Sequence, residues 1–228
     1  MMAFNNYGFE KVERLAGNIG YLDLRGFMPA ALARDTGAAA MNLLANSEAL
    51  IFDLRNNGGG DPEMVAFLTS YLYGPTPVHL NDLYFRPADR TTEFWTLKEV
   101  PGRRMPDKDV YIVTSHRTFS AAEEFTYNLK NLKRATIVGE NTGGAHPGGP
   151  QKVNDHFAVW VPTGRAINPI SKKDWEGDGV QPDVEVPAEK ALKTAHLLAL
   201  KKVTERTTDP MLKQRFERIA GDLARELK

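Results

Sequence analysis

An α/β architecture is the expectation for this chain of 228 residues. Two strand–turn–helix stretches and a strand that follows the second carry it. Residues 49–54 (ALIFDL) form a short apolar run, the pattern of a strand buried on both faces. The glycine-rich NNGGG at 56–60 breaks that run, and Pro62 suits the first turn of a helix reaching about Tyr73. The layout then recurs: Val110–Thr114 is apolar, a Thr/Ser loop follows, a helix runs from Ser120 to about Lys133, and Ala135–Gly139 reads as another strand. Alternating strands and helices point to a largely parallel sheet.

The other elements follow the same reasoning. Residues 5–24 resemble the first core strands, and 18–27 (NIGYLDLRGF) read as a strand entering a turn. Met28–Asn46 is Ala-rich with apolar residues at helical spacing. Residues 76–86 read as a strand, and 87–109 as a Pro- and charge-rich loop with a short strand near Trp95. Residues 141–150 form a long turn, and 151–169 alternate as a β-hairpin around Asn154 and Asp155. A loop at 171–183 precedes two amphipathic helices, Pro187 to about Val203 and Met211 to Leu227.

Composition narrows the function classes. Lys+Arg and Asp+Glu both number 29, so no global basic field exists to hold nucleic acid or an anionic membrane. Hydrophobic residues at 42% and charged residues at 25% suit an ordinary core. The absence of cysteine rules out disulfides and thiolate sites. No stretch approaches the ~20 apolar residues of a membrane span, and the first residues lack the apolar run of a signal peptide. The compartment stays open between bacterial cytoplasm and periplasm. The five histidines show no metal-ligand spacing, so neither a metal nor a cofactor is expected.

Ser120 is the leading candidate for chemistry. It stands where a buried strand gives way to a helix N-terminus, whose unpaired N–H groups and partial positive charge favour a reacting oxyanion. The N–H of Ala121 lies beside it. The same residues, Ser120-Ala-Ala-Glu123, also fit a capping box that only satisfies the helix end. Gly58, Gly59 and Gly60 can turn their N–H groups into an anion-binding concavity, or simply make a tight turn. Asp53, Arg55 and Asn57 can brace that loop or be solvated. His146, in GGAHPGG, and His116 are candidate bases, each with a surface role as the alternative. Glu176 and Asp178 lie in an acidic loop, where a carboxylate can orient a base.

Taken together, GNIGYLDLRGF, ALIFDLRNNGGG, VYIVTSHRTFSAAEEF, LKRATIVGENTGGAHPGG and WEGDGVQPDVEV resemble, in collinear order, the C-terminal-processing (tail-specific) serine peptidases. The similarity is strongest to the branch of the tricorn core and the interphotoreceptor retinoid-binding protein repeats. The resemblance implies a ClpP/crotonase-like spiral fold, with a peptidase core at 1–185 and a C-terminal helical appendage at 186–228. It implies Ser120 as nucleophile, Gly59 and Ala121 as oxyanion-hole donors with Gly58 and Gly60 as alternatives, Gly60 and Thr118 as substrate contacts, and Glu176 as the catalytic glutamate. The lysine many relatives use is replaced by Ala145, which disfavours a Ser–Lys dyad. The histidine of the tricorn-like branch lies in an N-terminal helical segment, and this chain begins where that segment would end. Either the base lies upstream of residue 1 or His146 replaces it. The partner expected is a peptide or protein, and a homo-oligomer is left open. An apolar-ligand (retinoid or fatty acid) binding module on the same fold is the alternative function, and an acyl-CoA enzyme is a third.

Overall fold

Residues 49–53 and 109–114 become neighbouring parallel strands at the centre of a six-stranded sheet. The computed structural model describes residues 1–145 and 147–227. In chain order the elements are β1 (Phe9–Leu15), β2 (Ile19–Leu24), α1 (Ala30–Leu44), β3 (Ala49–Asp53), α2 (Pro62–Ser70), β4 (His79–Phe85), β5 (Arg90–Trp95), β6 (Asp109–Thr114), α3 (Ala121–Asn131) and β7 (Thr136–Gly139). They continue with β8 (Gly148–Lys152), β9 (Ala158–Pro162), β10 (Gly164–Ile167), β11 (Val184–Glu185), α4 (Ala188–Arg206) and α5 (Pro210–Glu226).

The main sheet runs β1-β2-β3-β6-β7-β11, with only the β1–β2 pair antiparallel. Every residue of β2 and β3 is buried, as expected for strands covered on both faces. Helices α1, α2 and α3 build the core on one face, around Leu22, Phe52, Phe67 and Phe125. On the other face α4 and α5 cover Tyr21, Ile51, Tyr111 and Val138, largely through the small residues Ala191, Ala195 and Ala199. Small side chains let a helix lie close to the sheet. The residues from 186 onward therefore supply the second cover of the sheet.

Local chemistry sets the helix starts. The Asp61 carboxylate caps α2 by accepting from Glu63 N–H (2.9 Å), and its other oxygen accepts from Ala30 N–H (2.7 Å), so one side chain anchors two helices. Asp209 caps α5 in the same way, ahead of Pro210.

The short strand expected near Trp95 is β5, paired antiparallel with β4 from His79–Trp95 to Phe85–Arg90. One stretch differs from expectation. The hairpin expected at 151–169 is shifted: Gly148–Lys152 pairs with Ala158–Pro162, and the following Gly164–Ile167 leaves to pair with β4. Pro162 ends the ladder because it has no N–H to donate. The result is a three-stranded sheet, β10-β4-β5, standing over the main body.

Phe125 on α3 is fully buried, with its ring 5.6 Å from Phe27 and 5.3 Å from Phe52. It joins the helix that begins at Ser120 to the sheet. Phe125→Ala is expected to lower stability by about 3–5 kcal/mol. A fall in the urea midpoint at constant m-value checks this, and an unchanged midpoint contradicts it.

Candidate active site

Because β3 and β6 are parallel neighbours in register (Asp53 opposite Val113), their carboxyl ends emerge side by side. The Gly-rich turn at 54–61 and the Ser turn at 115–120 are thus forced together, at the edge of an α/β sheet where ligands generally bind. The two turns are stitched by backbone and hydroxyls. Phe119 N–H donates to Asn57 O (3.0 Å), Ser115 Oγ to Arg55 O (2.6 Å) and Thr118 Oγ1 to Leu54 O (2.8 Å). Thr118, expected to touch substrate, is fully buried, and its hydroxyl also accepts from Ser115 N–H (3.0 Å). Its role is to brace the turn, which corrects the sequence reading.

Below the turns lies an ionic brace. Arg55 grips Asp53 through both its Nε (2.9 Å) and a terminal nitrogen (2.6 Å), while its other terminal nitrogen donates to Ala188 O (2.7 Å). Tyr21 donates to the same Asp53 carboxylate (2.8 Å), and burial beside that charge pushes the phenol far above its usual range. Asn57 is fully buried, donating to Leu24 O (2.8 Å) and accepting from Gly59 N–H (2.9 Å). Of the two readings left open for these residues, the brace is the one the structure adopts.

Ser120 sits at φ +53°, ψ −119°, a left-handed conformation for a non-glycine residue. An ordinary N-cap adopts extended backbone, so the capping role alone does not account for this geometry. The capping box is present, with Glu123 accepting from Ser120 N–H at 2.9 Å. Ser120 lines a cavity of about 530 Å³ together with Gly58, Gly60, Ala121, Pro147 and Trp175.

The glycine turn has a defined polarity. Gly59 N–H is spent on Asn57, so it does not face the cavity as an oxyanion donor. Gly59 instead provides room: a Cβ there would meet Ser120 Cβ at 2.7 Å and Ala121 N at 2.9 Å. Its carbonyl accepts from Phe27 N–H (2.8 Å). A trans peptide points its C=O and N–H in opposite directions, so Gly60 N–H faces away from Phe27. Neither Gly60 N–H nor Ala121 N–H donates to any acceptor among the described residues, and both residues line the cavity with Ser120.

Glu123, fully buried, fastens this turn to the next loop. Its carboxylate accepts from Thr142 Oγ1 (2.6 Å), Gly144 N–H (2.6 Å), Ala145 N–H (2.9 Å) and Ser120 N–H (2.9 Å). Burial pushes the carboxyl above its ordinary range, and these donors offset part of that. Ala145 O accepts from the Trp175 indole N–H (2.7 Å), which brings the acidic loop to the cavity wall. Glu176 is exposed beside that tryptophan. His146 lies outside the described residues, but Ala145 and Pro147 on either side of it are held at the site in this way. His116 is placed elsewhere, exposed and 3.1 Å from Glu140 Oε2. Among the described residues there is no group of His, Cys, Asp and Glu that could hold a metal, and no helix is long and apolar enough to cross a membrane.

Glu124 escaped the sequence reading. It is 3% exposed, lines the same cavity, and its carboxyl is pushed up to about 8 by burial, with Asp61 adding to the rise. Ser120, Glu124 and Asn128 are spaced four apart on one helix face. That polar stripe is visible in the sequence only once the face is known to be buried.

Comparison with known proteins places the chain. Residues 18–186 match the model of peptidase family S41. The carboxyl-terminal-processing peptidase 1 of Arabidopsis thaliana chloroplasts is 31% identical over 185 residues, covering 78% of this chain and 35% of that protein. Among solved structures, an S41 protein from Bacteroides fragilis NCTC 9343 superposes with a TM-score of 0.68 at 18% identity, over 95% of this chain and 58% of the other. The photosystem II D1 C-terminal processing protease superposes at 0.59 and 24% identity, over 75% of this chain and 43% of the other. The chain therefore spans about a third of its curated relative's length, 35%. The matched segment covers both turns and the loop that reaches Trp175, and the chain belongs to peptidase family S41.

Proposed function

We propose that this chain carries the catalytic core of a serine peptidase acting on peptide or protein substrates, with residues 1–185 as that core. The observation that carries the reading is the convergence in one cavity of Ser120 with two N–H groups, those of Gly60 and Ala121, that donate to no acceptor among the described residues. Ser120 Oγ attacks the carbonyl carbon. The carbonyl π electrons move to oxygen, and the oxyanion settles between the Gly60 and Ala121 N–H groups. Collapse of the tetrahedral intermediate expels the amine, and water then releases the acyl group.

His146 is the proposed base that takes the Ser120 proton and returns it to the leaving amine, with Glu176 orienting it. Support comes from the flanking residues: Ala145 is bonded to Glu123 and to Trp175, and Pro147 lines the Ser120 cavity. Ala145 also occupies the position where a lysine would make a Ser–Lys dyad, so an alternative base is needed.

Ser120→Ala is expected to abolish hydrolysis, a loss on the order of 10⁶ in turnover, and to end labelling by a fluorophosphonate probe while leaving the circular dichroism spectrum unchanged. Retained turnover overturns the nucleophile. His146→Ala is expected to reduce labelling of Ser120 by at least 10²-fold, and wild-type labelling in that variant removes His146 from the mechanism.

Glu123→Gln puts an amide NH2 against backbone N–H donors. The expected cost is about 1–3 kcal/mol of stability, together with slower Ser120 labelling as the turn loosens. Denaturant unfolding and labelling rates measure the two effects. Loss of stability with full labelling speed would mean that the grip does not position the nucleophile.

A further inference from the structure

Behind the Ser120 cavity lie polar groups that the hydrolysis above does not use, and one of them, Glu124, lines it. Glu124 stands one helical turn below Ser120, at i+4, roughly 5–6 Å along the same face. Its Oε1 has no hydrogen-bond partner among the described residues, and neither do the Nδ2 and Oδ1 of Asn81 or the Nδ2 of Asn128. Glu124 is 3% exposed and both asparagines are fully buried. Asn81 of β4 lies beside the carboxyl without a hydrogen bond of good geometry, and Asn128 follows Glu124 by one further turn. Leaving such groups unpaired is costly in a folded protein unless a ligand completes them.

The walls of that cavity are apolar: Pro62, Leu83, Phe85 and Trp160. No lysine or arginine lines the cavity among the described residues, and the charged group that acts on Glu124 is Asp61, of the same sign. An apolar shaft ending in an acidic floor without a counter-ion suits a long aliphatic stem with a cationic tip. A lysine side chain extends over five single bonds, roughly 6 Å, comparable to the i to i+4 spacing of Ser120 and Glu124 along the helix. Its ammonium brings three donors, and a guanidinium five, to the Glu124 carboxyl that lines the cavity.

We propose that Glu124 sets the specificity of this site, selecting substrates that carry lysine or arginine beside the bond that Ser120 attacks. The proposal rests on the peptidase reading for the word substrate, but the preference itself is a matter of binding. An apolar side chain of equal length fills the shaft and leaves the floor unpaired. An acidic one meets Glu124 and Asp61 with like charge.

The test uses the Ser120→Ala chain, which binds without cutting. Three acetylated pentapeptide amides are titrated calorimetrically, all alanine except for a central lysine, norleucine or glutamate. The lysine peptide is expected to bind at least about tenfold more tightly than the norleucine peptide, and the glutamate peptide most weakly. Adding Glu124→Gln, nearly isosteric, should bring the lysine-to-norleucine ratio close to one, with the thermal midpoint confirming a folded chain. A readout free of that variant is pH. The carboxyl is neutral below about 8 and Asp61 is the charged group facing it, so the lysine advantage should grow as pH rises toward 8 and level off above it. Equal affinities at pH 8.5, an undiminished lysine advantage in the double variant, or no binding of any peptide overturns the proposal. A lysine preference in a chain whose intact Ser120 neither labels nor hydrolyses sinks the peptidase reading alone. Hydrolysis without that preference sinks only this one.

Discussion

The grip of one buried carboxylate holds the site together. Glu123 collects N–H or O–H donors from three places in the chain: the Ser120 turn, Thr142, and the consecutive amides of Gly144 and Ala145. A buried carboxylate is tolerable only with such partners, and here each one belongs to a segment that borders the cavity. Thr142 passes the constraint on, since its hydroxyl also accepts from Val180 N–H at 2.7 Å. Ala145 passes it to Trp175. Thus one side chain, placed on the first turn of α3, determines where the loops of 142–145 and 175–180 stand relative to Ser120. Its position in the helix also explains the constraint's rigidity, because the first helical turn is anchored in the Phe27–Phe52–Phe125 core.

A second constraint acts from the sheet side. Asp53 ends β3 and is gripped by Arg55 and Tyr21, while Asn57 reaches back to Leu24 and forward to Gly59. These contacts are at least partly buried, with 21% and 4% of the Arg55 and Asp53 side chains exposed, so solvent screens them less than a surface pair. The consequence is a glycine turn with fixed amide directions. Gly59 N–H is consumed by the brace and Gly60 N–H is left over. Which glycine N–H stays undonated among the described residues is thereby set by hydrogen bonding within the loop and not by the mere presence of three glycines.

Much of this was legible in the sequence, and the residues show where legibility stops. Buried parallel strands announce themselves as uniform apolar runs, so β3 and β6 were readable, as were α2 behind Pro62 and α3 behind Ser120. Ser120 and the glycine turn could be named because strand, turn and helix occur in that order twice. What the one-dimensional pattern lacks is direction. It cannot tell that Thr118 points inward, that Gly59 donates to its neighbour Asn57, or that Glu124 faces the cavity while Glu123 faces the loops. Two adjacent glutamates on a helix are about 100° apart, and which faces are buried depends on β4 and the 142–145 loop, both distant in sequence. The extent of β5 back from Trp95 to Arg90 was obscured for a related reason. Its partner β4 is close in sequence, but its side chains alternate with partial exposure, and the local run of charge reads as loop.

The left-handed backbone of Ser120 ties these strands of argument together. A non-glycine residue at that φ costs on the order of 1–3 kcal/mol, and it persists only if its surroundings over-determine it. They do so here from both sides: Phe119 N–H is fastened to Asn57, and Ser120 N–H to Glu123. The strain has a geometric product. With the chain turned sharply between Phe119 and Ala121, the serine hydroxyl and the Ala121 N–H border the same cavity, and Gly59 can approach so closely that no Cβ fits between them. Relaxing the backbone to an ordinary extended N-cap would remove that close approach and separate the hydroxyl from the Gly60 amide. The stored strain is therefore the physical link between a stable α/β body and the Gly60 and Ala121 N–H groups, which donate to no acceptor among the described residues.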